Sequence, residues 1–133
     1  ILAFILASAA RKARGQRNVH NSMLVHVTRY QGVQRAVKIQ VERALADIKR
    51  HLRYGGGNSN DVIKKMHSLW HDDFLPTTNS VKSLAPETDL PHVDWAQIEP
   101  LLQETASDIQ VREINGSAKE ALDYDNHRET GFN

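Results

Sequence analysis

The sequence predicts an α/β fold, helix-rich overall, built on a parallel βαβ unit of two strands with flanking helices and a helical insertion. Three observations predict it. Met23, Leu24, Val25 and Val27 form a short apolar run rich in β-branched residues, bracketed by Asn18 and Asn21 before and Gly32 after, as for a buried strand. Val33, Val37, Val41, Ala44, Leu45, Ile48 and Leu52 then recur at intervals of three and four, with charged residues on the other face, as for a long amphipathic helix. Ile109, Val111 and Ile114 within DIQVREIN make a second strand ending at Asn115-Gly116. A strand, a crossover helix and another strand give a parallel, right-handed unit.

In chain order, Ile1, Leu2, Ile5, Leu6, Ala9 and Ala13 recur at helical spacing from Ile1 to about Lys12, with alanines filling the gaps and Gly15 as a stop. Gln16–Ser22 is a polar loop into the first strand. The long helix ends in Tyr54-Gly55-Gly56-Gly57, glycines that accept a helix stop; the Lys-Ser/Thr of a phosphate-cradling loop does not follow. Residues 55–107 read as a helical insertion. In it, Val62, Met66, Leu69, Trp70 and Phe74 form one apolar face, Pro76 closes that helix, and Thr77–Pro91 is a surface excursion. Asp94 caps a turn at Trp95–Glu99, and Pro100 opens a fresh turn carrying Leu101, Leu102 and Thr105. Ser117-x-x-Glu120 is a capping-box pattern for a short last helix. Two strands make a poor sheet, so further strands are expected outside this chain. The opening at Ile1 in mid-pattern and the stop at Asn133 read as those of a fragment, one unit over 1–133.

Composition narrows the function classes. The net charge of +1 does not by itself argue for nucleic acid, but the charge is uneven. Arg11, Lys12, Arg14, Arg17, Arg29, Arg35, Lys38, Arg43, Lys49, Arg50 and Arg53 crowd the first half, while acids gather after Asp61, which allows phosphate contacts from one face. The absence of cysteine excludes disulfides, thiolate metal sites and cysteine nucleophiles, and fits a cytoplasmic protein. The apolar opening ILAFILASAA is too short to cross a bilayer and has its basic residues on the wrong side for a secretory signal. No membrane partner is expected.

Thr28, Arg29 and Tyr30 leave the first strand just before a helix, combining a hydroxyl, a guanidinium and backbone amides that suit phosphate oxygens. Asn115, Gly116 and Ser117 end the second strand on the same edge, so the βαβ unit makes the two clusters neighbours. His67-x-x-x-His71 with Asp72 and Asp73 offers metal donors, but Ser68 stands where a zincin needs Glu. His20 and Ser22 lack the surroundings of a hydrolase triad. Three functions follow from these residues: nucleic-acid engagement through phosphate contacts, a metal-dependent nuclease on His67, His71, Asp72 or Asp73, or a partner-docking module over Ser59–Pro91 with Trp70 or Trp95 as anchor.

The run AFILASAARKARGQRNVHNSMLVHVTRYQGVQ at residues 3–34, with VREINGSAKEALDY at residues 111–124, resembles the Z-one domain family, described as endonuclease domains and found in superfamily-two helicase-like proteins of bacterial restriction systems. The resemblance implies part of the second RecA-like lobe of an ATP-dependent DNA motor. Met23–Val27 takes the place of that lobe's first strand, where such helicases contact the DNA backbone, and Val111–Asn115 that of the following strand. A Ser-Arg-Gly motif and an ATP-sensing arginine come later in such proteins, beyond Gly131-Phe132-Asn133. No Walker loop or acidic metal-binding box is present, so this piece alone is expected neither to bind nor to hydrolyse ATP, with ATP and magnesium belonging to the full-length protein. The implied partners are DNA and a nuclease or other restriction-system subunit. The endonuclease description rests on the family, not on a carboxylate-carboxylate-Lys set in this sequence.

Overall fold

The computed structural model describes residues 1–54, 59–87 and 90–114, and these build a helical array. Helix α1 (Leu2–Ala13) is followed by an extended stretch, then by the long α2 (Gln31–Tyr54). Helix α3 (Ser59–Leu69) runs through a π-helical turn (Trp70–Phe74) into α4 (Leu75–Leu84). The short α5 (Trp95–Ile98) passes through a 3-10 turn (Glu99–Leu101) into α6 (Leu102–Asp108). None of these described helices is long and apolar enough to cross a membrane.

The core forms around α1, whose alanines and aliphatics leave almost no polar side. Ile5, Leu6, Ala9 and Ala10 are buried, against Met66 of α3, Trp70 of the π turn, Val93, Ile98 of α5, and Leu102 and Ala106 of α6. A helix apolar nearly all round is stable only when neighbours cover it, and here α3, α5 and α6 do so. Small side chains at Ala9, Ala10 and Ala106 let the backbones come close. Ser8 is buried with its hydroxyl fully used: it donates to the Phe4 carbonyl at 2.8 Å and accepts from Asn21 Nδ2 at 2.5 Å. That second bond ties the start of the extended stretch to α1.

Gly15 ends α1 as the sequence predicts. Its φ of +89° lies in the left-handed region, its N–H donates to Lys12 O, and Gln16 N–H donates to Arg11 O. The pair of bonds is a Schellman stop, which a side chain at position 15 strains. Asp94 likewise caps α5: Gln97 N–H donates to Asp94 Oδ1 and Asp94 N–H to Gln97 Oε1, each at 3.0 Å. Lys12 fastens α1 to α6. It is 6% exposed, and its ammonium lies 3.1 Å from Glu104 and 2.6 Å from Asp108, carboxylates one helical turn apart. Lys49 of α2 donates to the carbonyls of Ser107 and Ile109, both at 3.2 Å, closing the C-terminal end of α6.

The α/β expectation is overturned. Among the described residues there is no strand, hence no parallel βαβ unit and no RecA-like sheet. Met23–Val27 and Ile109–Ile114 run without regular secondary structure. A strand needs neighbours to take its N–H and C=O groups, and neither segment serves as partner for the other. Their side chains show the consequence: Met23, Val25 and Val27 are 44, 49 and 43% exposed and Leu24 is 87% exposed, far from core values. Ile109 and Val111 pack their side chains on the core.

Pro76 does not close its helix. The π turn before it puts the Leu75 N–H on Trp70 O, five residues back, and the widened turn makes room for the proline ring against the preceding carbonyls. The chain therefore stays helical to Leu84, inside the span expected as an irregular excursion. Helix α4 buries no residue. The predicted glycine stop at 55–57 and the Ser117-x-x-Glu120 helix lie outside the described residues.

Candidate nucleic-acid interface

Thr28, Arg29 and Tyr30 stand at the N-terminal end of α2. The Tyr30 carbonyl accepts from the N–H groups of Val33 and Gln34, starting the helix. Thr28 braces that start: its hydroxyl accepts from Tyr30 N–H at 3.5 Å, and its carbonyl accepts from Gln34 Nε2 at 2.6 Å. Arg29 and Tyr30 are left outside, Tyr30 63% exposed. The Arg29 guanidinium sits 5.6 Å from the Tyr30 ring centroid, a cation–π pairing that holds the charge at the surface without neutralising it. Backbone amides at the first turn, one guanidinium and one open ring can together receive a phosphate and an adjoining sugar or base. Asn115, Gly116 and Ser117 lie outside the described residues, so the expected juxtaposition of the two clusters is not part of this geometry.

The two stretches predicted as strands instead flank a groove of about 260 Å³. Residues of 21–27 form one wall and 109–114 the other; Phe4, Val37, Val41 and Leu45 make an apolar floor and Lys38 a charge at the mouth. This explains the uneven burial of the apolar face of α2. Leu45 is buried and Ile48 and Leu52 pack on the core, whereas Val33, in the first turns, is 45% exposed.

Charge is strongly sided. On α2, Arg35, Arg43, Arg50 and Arg53 are exposed. Asp47 pairs with Arg50 at 2.8 Å and Glu42 approaches Lys38 at 3.9 Å. Sequence reading put Arg35, Arg43 and Arg50, with Lys38, Glu42, Asp47 and Lys49, on the charged face of this helix; the spacing of eight, seven and three residues further sets Arg35, Arg43, Arg50 and Arg53 in one row. Near the end of α1, Arg14 donates from Nε to the Pro91 carbonyl at 3.3 Å, and burial lowers its pKa from the ordinary arginine value.

The metal-donor residues gather only in part. His67 and His71 have ring centroids 4.4 Å apart, and His67 meets Trp95 edge-on at 5.0 Å. Asp73 accepts instead from the Thr77 hydroxyl at 3.3 Å. Among the described residues no group of three or more His, Cys, Asp or Glu side chains is arranged to hold a metal ion. Of the proposed anchors, Trp70 is 2% exposed and belongs to the core, stacked on Phe74 at 6.0 Å. Trp95 is half-buried and spends its indole N–H on Glu99 at 2.6 Å.

Comparison with known proteins returns one match. The family model of the Z1 domain, the Z-one family named above, covers residues 1–133. No curated protein and no solved structure matches the chain. With its whole length covered by that model, the chain belongs to the Z1 domain family.

Proposed function

We propose that this chain is a DNA-engaging part of an ATP-dependent, helicase-like protein of a bacterial restriction system, and that Thr28, Arg29 and Tyr30 contact the phosphate backbone of one strand. The observation that carries this reading is the placement of Arg29 and Tyr30, exposed and with no acidic partner among the described residues, immediately before the first turn of the 24-residue α2. Phosphate-directed contacts of this kind position a nucleic acid without reading its sequence. Catalysis of ATP hydrolysis belongs elsewhere in the full-length protein, because the described residues supply neither a Gly-Lys-Ser/Thr loop nor a carboxylate cluster for magnesium. Any cleavage is assigned to a partner subunit for the same reason. Asn115, Gly116 and Ser117 join the interface in this reading.

In the full-length protein, Arg29→Ala is expected to weaken DNA binding roughly 10- to 100-fold, the loss of one charged hydrogen-bonding contact. DNA-stimulated ATPase activity should fall with it. Retention of both salt-sensitive DNA affinity and DNA-stimulated ATPase would remove Arg29 from the interface.

A further inference from the structure

The outer face of α2 carries a second basic feature, separate from Thr28, Arg29 and Tyr30. At 3.6 residues per turn, Arg35, Arg43, Arg50 and Arg53 fall within an arc of about 80°, turned away from Leu45, Ile48 and Leu52 on the core side. At 1.5 Å rise per residue the row runs for about 27 Å. All four are exposed. Asp47 neutralises Arg50, but among the described residues no carboxylate lies within ion-pair distance of Arg35, Arg43 or Arg53. Between the arginines the same face holds Ala36, Ile39 and Ala46 with Glu42, which faces Lys38, at one edge, and it ends at Tyr54, 74% exposed, directly after Arg53.

We infer that this ridge is a docking surface for the phosphate backbone of double-stranded DNA. Charge complementarity names the class of partner: unpaired guanidiniums present paired N–H donors that fit phosphate oxygens, and release of the counterions condensed on DNA drives the contact. Stiffness selects the duplex. Single strands are held in basic channels by stacking successive bases on several aromatic side chains, whereas here a single ring, Tyr54, stands at the end of the row. A duplex is straight over 27 Å, its persistence length being about 50 nm, so two rigid rods meet without ordering either. The inference shares its partner with the reading above but none of its residues.

The test uses the full chain with a fluorescent duplex and a single strand of the same length, titrated by anisotropy across a range of salt. The triple variant Arg35→Gln, Arg43→Gln, Arg53→Gln replaces exposed side chains, and circular dichroism checks its fold. For the duplex, the slope of log affinity against log salt is expected to shrink by about 0.9 per lost contact, or about 2.7 for all three. Duplex affinity at low salt should fall at least about tenfold while single-strand affinity stays within about twofold. Should the triple variant misfold, Arg43→Gln alone is expected to reduce the slope by about 0.9. An unchanged duplex slope overturns the proposal, as does an equal loss for duplex and single strand, or binding to anionic phospholipid vesicles in place of DNA. The two interfaces separate cleanly: if Arg29→Ala leaves single-strand binding intact while the ridge variant loses the duplex, the Thr28–Tyr30 reading fails and the ridge stands.

Discussion

Trp70→Ala is expected to cost about 3 to 5 kcal/mol, the range for truncating a buried aromatic residue. Total stabilities of small domains lie near 5 to 15 kcal/mol, so this one change brings the fold close to its limit. The size follows from position. Trp70 is 2% exposed, begins the π turn, stacks on Phe74 and meets a core shared by α1, α3, α5 and α6. Its loss opens a large cavity where four elements converge, and backbone already widened by the π turn has little further freedom to collapse into it. Urea denaturation followed by circular dichroism measures the effect. Trp95→Ala is the control: half-buried and held by an exposed bond to Glu99, it should cost less than half as much.

Lys12 gives the second large effect and the clearest pH dependence. Burial works against its ammonium, but the hydrogen bonds to Asp108 and Glu104, reinforced by their charges, outweigh it and hold the pKa above the ordinary lysine value of 10.5. With a folded pKa above the unfolded one, the stabilisation is complete below about pH 10.5 and is lost as pH rises through the folded value. Lys12→Ala should cost about 1 to 2 kcal/mol at neutral pH, below the cost of breaking a fully buried pair because both carboxylates are about half exposed. Stability measured between pH 9 and 12 should fall more steeply in the parent protein than in the variant. Parallel curves would show that the α1–α6 clamp contributes no alkaline sensitivity. Asp108 also sits at the C-terminal end of α6, where a negative charge opposes the helix dipole, so the Lys12 contact offsets a local cost.

How much of this was legible in the sequence depends on whether a signal is local. The periodicity of α1 and α2, the stop at Gly15 and the Asp94 cap were legible because each depends on residues within a few positions of one another. The strands were not, since β-branched runs such as Met23–Val27 report suitability for a pleated surface while a sheet also needs a partner edge. Pro76 misled for a related reason: a proline stops a regular α-helix, and only the preceding π turn, which composition does not reveal, lets the helix pass it. At the candidate site, Thr28, Arg29 and Tyr30 were singled out as the exit of a strand into an amphipathic helix; the helix begins where that reading put it, and the strand is absent. The sheet edge that was expected to bring Asn115, Gly116 and Ser117 beside them is absent among the described residues, and those three lie outside that description. The outer charged face of α2 was legible from the same helical period as its apolar face, but both signs of charge share it, so the arginine row stands apart only once the ion pairs are known.

The most direct measurement is the affinity of the full-length protein for several DNA fragments of unrelated sequence at increasing salt. Binding through phosphates is expected to give straight lines of log affinity against log salt, with a slope of about −0.9 per contact on duplex DNA and nearly the same line for every sequence. Affinity that ignores salt, or that survives high salt for one sequence alone, would contradict a phosphate-directed interface on α2.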